Sequence, residues 1–122
     1  GLVLLAPAAV LKDGALEGNI LGGTFNTDDV PDTLPIVWGV LGKNYITTTQ
    51  QLDIFGETKK YLGPTYIIHG TNDNVVPVHY AERYHKELPH SELSLLNGYG
   101  HSFDPNEAKV GELASNFIQQ IH

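Results

Sequence analysis

Ile67-Ile68-His69-Gly70-Thr71-Asn72-Asp73-Asn74-Val75-Val76-Pro77 reads as a buried strand that breaks into a tight loop and then opens a helix. The first residues are apolar and β-branched, Gly70 punctuates them, and Pro77 suits a first helical turn. Asp73 then falls just past the carboxyl end of a strand, on the rim where parallel α/β sheets carry their chemistry. A natural partner follows 28 residues later, from position 73 to position 101, in Gly98-Tyr99-Gly100-His101-Ser102-Phe103.

Outward from this stretch the chain alternates. Residues 2–6 are continuously apolar, which predicts a strand buried on both faces of a parallel sheet. Thr65-Tyr66-Ile67-Ile68 form the second strand, after Gly63-Pro64. A helix is expected from about Pro77 to Leu88, with Val78, Ala81, Tyr84, His85 and Leu88 on one face. Leu93, Leu95 and Leu96 make a third strand, stopped by Asn97-Gly98. The last helix opens at Asp104-Pro105, with Asp104 as cap and Glu107 completing a capping box. Val110, Leu113, Ala114, Phe117, Ile118 and Ile121 give it a helical stripe. Strands alternating with helices predict an α/β fold with a parallel sheet and right-handed crossovers.

The segment from about Leu11 to Lys60 breaks this rhythm. It is rich in glycine, carries Pro31 and Pro35, an acidic patch at Asp28-Asp29 and Asp32, and the single Trp38. Short helical or strand pieces are expected, Ile46 to Ile54 among them, but no long periodic element. An insert of nearly fifty residues far exceeds ordinary connections, and such inserts commonly act as lids or binding caps. The plainer alternative is an excursion that only covers a sheet edge.

Composition narrows the function classes. At 122 residues, 41% hydrophobic and 17% charged, the chain is about one small globular domain. The net charge is −7 and the seven Lys and Arg residues form no stripe, so nucleic acid and anionic membrane surfaces are poor partners. No cysteine is present, which removes disulfides, thiolate nucleophiles and cysteine-held metals. No apolar run reaches the ~18 residues that span a bilayer. The chain begins inside an apolar run, Gly1 to Ala8, with neither a basic segment before it nor a cleavage site after it. It reads as a start in mid-fold. Three strands also make a poor free-standing sheet with unpaired edges. Both features predict a partial domain whose N-terminal half lies elsewhere.

The chemistry rests on Asp73 and His101. If their strands are neighbours, the two loops meet on one rim. A carboxylate bonded to one imidazole nitrogen fixes the tautomer and leaves the other nitrogen as a general base. His69 is expected to hydrogen-bond locally, His79, His85 and His90 to lie on or after a surface helix, and His122 is terminal. No metal-ligand spacing appears, and no cofactor is implied. The pair still lacks a nucleophile. Ser91, Ser94, Ser102 and Ser115 all lie outside any G-x-S-x-G elbow. Ser94 falls in a strand, Ser115 on the last helix, and Ser102 is too close in sequence to His101.

Leu4-Leu5-Ala6-Pro7-Ala8, Phe25-Asn26 through Val30-Pro31-Asp32, Asn44-Tyr45, His69 through Pro77, and Gly100-His101-Ser102-Phe103 together resemble the C-terminal half of an α/β-hydrolase. Among these the chain is most similar to bacterial cinnamoyl (feruloyl) esterases. The resemblance implies a three-layer α/β/α fold in which this chain supplies the last three strands of eight plus the lid insert. It implies a Ser-His-Asp triad with Asp73 as acid, His101 as base and the serine upstream of residue 1, in the order Ser, Asp, His. It matches Tyr45 to a substrate-binding lid tyrosine. It sets Asp13 beside the position of a lid acid, with Gly14 in the matching place. The implied partner is a small aryl or acyl ester in a cytoplasmic enzyme, and a homodimer stays open. A non-catalytic α/β binding module, or a related lipase, thioesterase or aminopeptidase, are the competing readings.

Overall fold

The computed structural model describes residues 1–122. In chain order the elements are β1 (Leu2–Leu5), α1 (Val10–Glu17), β2 (Asn19–Ile20), β3 (Gly23–Thr24), β4 (Thr33–Ile36), β5 (Gly39–Gly42), α2 (Lys43–Gln51), α3 (Ile54–Thr58), β6 (Thr65–Gly70), α4 (His79–Glu87), β7 (Ser91–Leu96) and α5 (Glu107–Gln120). They group into two compact units. One joins Gly1–Ala8 to Phe55–His122, and the other is Ala9–Ile54.

The first unit is built on a parallel sheet in the order β1-β6-β7. All six residues of central β6 are buried, the apolar Tyr66, Ile67 and Ile68 together with the polar Thr65 and His69. Side chains alternate across the strand. Tyr66 and Ile68 pack against Val110 and Phe117 of α5, and Ile67 packs against Ala81 of α4 and Leu88 just after it. Helices therefore flank both faces in three layers. Ile67 and Ile68 are fully excluded from solvent, each stabilising the unit by about 1.5–3 kcal/mol relative to exposure.

Three local expectations need correction. β1 is not buried throughout: within these 122 residues Leu2 and Leu5 are 37% and 50% exposed, and β1 pairs with β6 alone. The α4 and α5 stripes are narrower than their periodicity suggests, since His85 and Ile118 face solvent. The α5 cap is Asn106, whose side chain accepts from the Lys109 N–H at 3.3 Å. Asp104 is drawn instead into the preceding turn, where its carbonyl accepts from the Gly100 N–H at 3.1 Å.

The second unit has its own core of Ala15, Ile20, Val30, Leu34 and Ile46. Two short antiparallel hairpins, β2-β3 and β4-β5, lie between α1 and α2 in sequence. The Gln50 amide on α2 donates to the carbonyls of Ala15 and Thr27, tying three segments together. Gly14 interrupts the helical pattern of α1 for a packing reason. A β-carbon there would lie 2.4 Å from the Asn19 carbonyl oxygen. No helix of either unit is long and apolar enough to cross a membrane.

Candidate active site

Because β6 and β7 run parallel side by side, the loops after Gly70 and after Leu96 leave from the same end of the sheet. Hydrogen bonds from backbone amides lace them together. The Thr71 N–H donates to the Leu96 carbonyl and the Asn72 N–H to the Tyr99 carbonyl, both at 3.0 Å. The Gly98 N–H donates to the Thr71 hydroxyl at 2.8 Å. Gly70 permits this approach, since a β-carbon on it would lie 2.1 Å from the Tyr99 carbonyl oxygen.

Asp73 projects into the space between the laced loops. Its side chain is fully buried, and its Oδ1 accepts from the backbone N–H groups of Val75 and Val76, each at 2.8 Å. This is the turn chemistry that Asp-x-Val-Val encodes. Its Oδ2 accepts from His101 Nδ1 at 2.8 Å. Burial pushes the Asp73 carboxyl pKa up, but the Val76 N–H, His101 and the Val75 N–H outweigh it. The net shift is downward from the ordinary 3.8. The site therefore holds a buried carboxylate, not a carboxylic acid.

That shift carries a pH consequence. A carboxyl whose folded pKa lies below its unfolded value stabilises the fold above the unfolded pKa and loses that contribution as pH falls through the folded one. Urea midpoints should therefore drop as the solution is acidified below about pH 4. In Asp73→Asn the decline over that window should be shallower than in the wild type. An equal slope in both proteins would show that Asp73 does not drive it.

His101 sits in the turn Gly100–Phe103, closed by the Phe103 N–H donating to the Gly100 carbonyl at 3.0 Å. Phe103 takes a left-handed φ of 60°, anchored by packing against the α5 face of the core. The His101 side chain is 36% exposed. A carboxylate only accepts, so Nδ1 carries the hydrogen and Nε2 presents a lone pair. The arrangement can take up a proton at Nε2 and stabilise the resulting imidazolium through Asp73.

A third residue belongs to this constellation, and sequence reasoning gave it only a local role. His69 is fully buried at the end of β6. Its Nε2 lies 2.8 Å from the Val76 carbonyl oxygen and 3.4 Å from Asp73 Oδ2. The four-residue spacing to Asp73 was the available signal, because the loop folds back over the strand end.

The other expected site residues lie in the second unit. Tyr45 is on the first turn of α2 and 44% exposed, and Asp13 is on the first turn of α1 and half-buried. The chain's serines are placed variously. Ser94 Oγ is 2.6 Å from the Tyr66 hydroxyl, Ser91 donates to the Leu88 carbonyl, Ser115 lies exposed on α5, and Ser102 is exposed beside His101. No group of three or more His, Asp or Glu side chains converges as a metal-holding cluster.

A family profile described as the alpha/beta hydrolase fold matches residues 12–103. The chain belongs to the α/β-hydrolase fold family. Its parallel strands and flanking helices match the C-terminal part of that fold. It superposes on Est1E from Butyrivibrio proteoclasticus with a TM-score of 0.91 at 28% identity, covering 97% of this chain and 49% of that one. A second Est1E structure, with ferulic acid bound, gives 0.90 at the same identity, covering 97% and 48%. A bromoperoxidase from Bacillus anthracis is 32% identical with a TM-score of 0.53, over 61% of this chain and 28% of that one. Curated relatives from Mycobacterium bovis and Mycobacterium tuberculosis, themselves uncharacterized, are 28% identical over 134 residues, 96% of this chain and 38% of theirs. The α/β-hydrolase segment here thus spans about half of Est1E and less of the mycobacterial proteins.

Proposed function

We propose that this chain carries the acid and base of a serine carboxylic-ester hydrolase acting on hydroxycinnamate and similar aryl or acyl esters. The observation that carries the reading is the 2.8 Å bond between His101 Nδ1 and the buried Asp73 carboxylate. The likeness to Est1E, one structure of which holds ferulic acid, supports the aryl ester. The nucleophilic serine and the oxyanion hole are assigned to sequence outside these 122 residues. His101 Nε2 accepts the serine proton as the serine oxygen bonds to the ester carbonyl carbon. The imidazolium then protonates the departing alkoxide. A water repeats the sequence on the acyl-enzyme, releasing the acid and free serine. Asp73 stays ionised throughout and orients His101. In the same reading the insert binds the substrate acyl group, with Tyr45 and Asp13 as its contacts.

The test is a substrate panel on the full-length protein: methyl ferulate, methyl p-coumarate, short aliphatic esters, an acyl thioester and an aminoacyl amide. The expected result is the highest kcat/KM on the hydroxycinnamate esters, and no turnover by the 122-residue chain alone. A preference for thioester or amide would replace the substrate class. Inactivity of the full-length protein on the whole panel would favour a non-catalytic binding module.

A further inference from the structure

We propose that His69 is a positioning residue whose Nε2–H, held by the Val76 carbonyl, fixes the loop that aims the Asp73 carboxylate at His101. The role rests on the esterase reading for its kinetic consequence, but its geometry stands apart from it. Val76 is bound at both ends. Its N–H donates to Asp73 Oδ1 at 2.8 Å, and its carbonyl oxygen lies 2.8 Å from His69 Nε2. The carbonyl only accepts, so Nε2 carries the hydrogen. The same nitrogen is 3.4 Å from Asp73 Oδ2, the oxygen that His101 uses. His69, Val76 and Asp73 thus close a small ring in which both carboxylate oxygens have a fixed neighbour.

Packing alone does not account for a histidine here. Position 69 shares its face of β6 with Ile67, where an aliphatic side chain meets α4. His69 is completely buried, and its Nδ1 finds no hydrogen-bond partner. An orphaned polar atom in the interior costs free energy that a hydrocarbon side chain would avoid. What a hydrocarbon cannot do is hold the Val76 carbonyl. That carbonyl belongs to a residue only 1% exposed, so without His69 it lacks a partner. The peptide can then turn to find one, carrying the Oδ1 anchor with it.

Three variants of the full-length protein separate positioning from mere support. His69→Gln keeps an amide N–H close to the place of Nε2. His69→Asn shortens the side chain and moves the donor toward the place of Nδ1. His69→Leu keeps volume without a donor. The readouts are kcat and KM on the best ester, and the downfield Nδ1 proton resonance of His101 in protein labelled with ¹⁵N-histidine. In the Leu and Asn variants kcat should fall roughly ten- to a hundredfold, as a misplaced catalytic group predicts. KM should stay within about twofold. The His101 Nδ1 proton should shift or broaden. His69→Gln should restore most of both signals. A Leu variant with wild-type kcat and an unmoved resonance would overturn the proposal, as would Gln and Asn variants impaired alike. If the Leu variant does not fold, the Gln–Asn comparison decides. If the wild type hydrolyses no ester, the esterase reading falls while the resonance still reports on His69.

Discussion

Replacing His101 with alanine should lower ester turnover by the full-length protein by about three to four orders of magnitude. The loss should fall on kcat and leave KM nearly unchanged, because the imidazole acts on protons in flight and not on ground-state binding. Asp73→Asn should cost a similar factor by another route. The amide can offer its NH2 to the imidazole and hold it in the opposite tautomer, with hydrogen on Nε2, where it cannot accept a proton. The two losses should not add, since both remove one function. Stability separates the pair. His101 is partly exposed, and the turn that carries it is closed by backbone bonds, so His101→Ala chiefly leaves Asp73 Oδ2 short of one donor. Asp73→Asn disturbs a buried group that also holds the Val75 and Val76 amides. Its melting temperature should fall further. A folded His101→Ala enzyme that keeps a tenth or more of wild-type kcat would remove His101 from the chemistry.

Where the two strands that carry the site end was legible in the sequence because the same residues do two things there. The run Thr65–Ile68 must be buried on both faces, and Gly70 must end it, so Asp73 is delivered to the rim by spacing alone. The 28-residue interval to His101 holds one helix and one strand, which is what parallel neighbours require. The remainder needed coordinates because it depends on residues distant in sequence. Leu2 and Leu5 read like interior residues, yet within these 122 residues they are 37% and 50% exposed, because burial depends on what packs over a side chain and not on its type alone. Asp104 and Asn106 are both competent caps by residue type, and only the structure shows Asn106 at the cap and Asp104 in the turn bonded to Gly100. His69 looked incidental because its meaning lies in the Val76 carbonyl, seven residues on. The α1 helix was hidden by Gly14, whose reason is the backbone of Asn19.

Gly70→Ala tests how closely the two loops must approach, and the expected effect is large for one methyl group. The added β-carbon would lie 2.1 Å from the Tyr99 carbonyl oxygen, 2.6 Å from its carbon and 2.9 Å from the Gly100 carbonyl oxygen. All three are backbone atoms, so no side chain can swing away. The loop that carries His101 must retreat by about 1 Å, and a hydrogen bond stretched that far from 2.8 Å has lost most of its strength. The lacing bonds from Asn72 and Thr71 pass through the same gap and weaken together. The expected outcome is a fall in kcat of about a hundredfold and a destabilisation of about 1–3 kcal/mol. Gly111→Ala is the control. It lies on α5 with open space around it, so alanine there should stabilise by about 0.5–1 kcal/mol and leave kcat alone. The contrast removes general intolerance of alanine for glycine as an explanation. A Gly70→Ala protein with wild-type kcat would mean that the Asp73–His101 bond survives the separation, and that the approach of the loops serves packing alone.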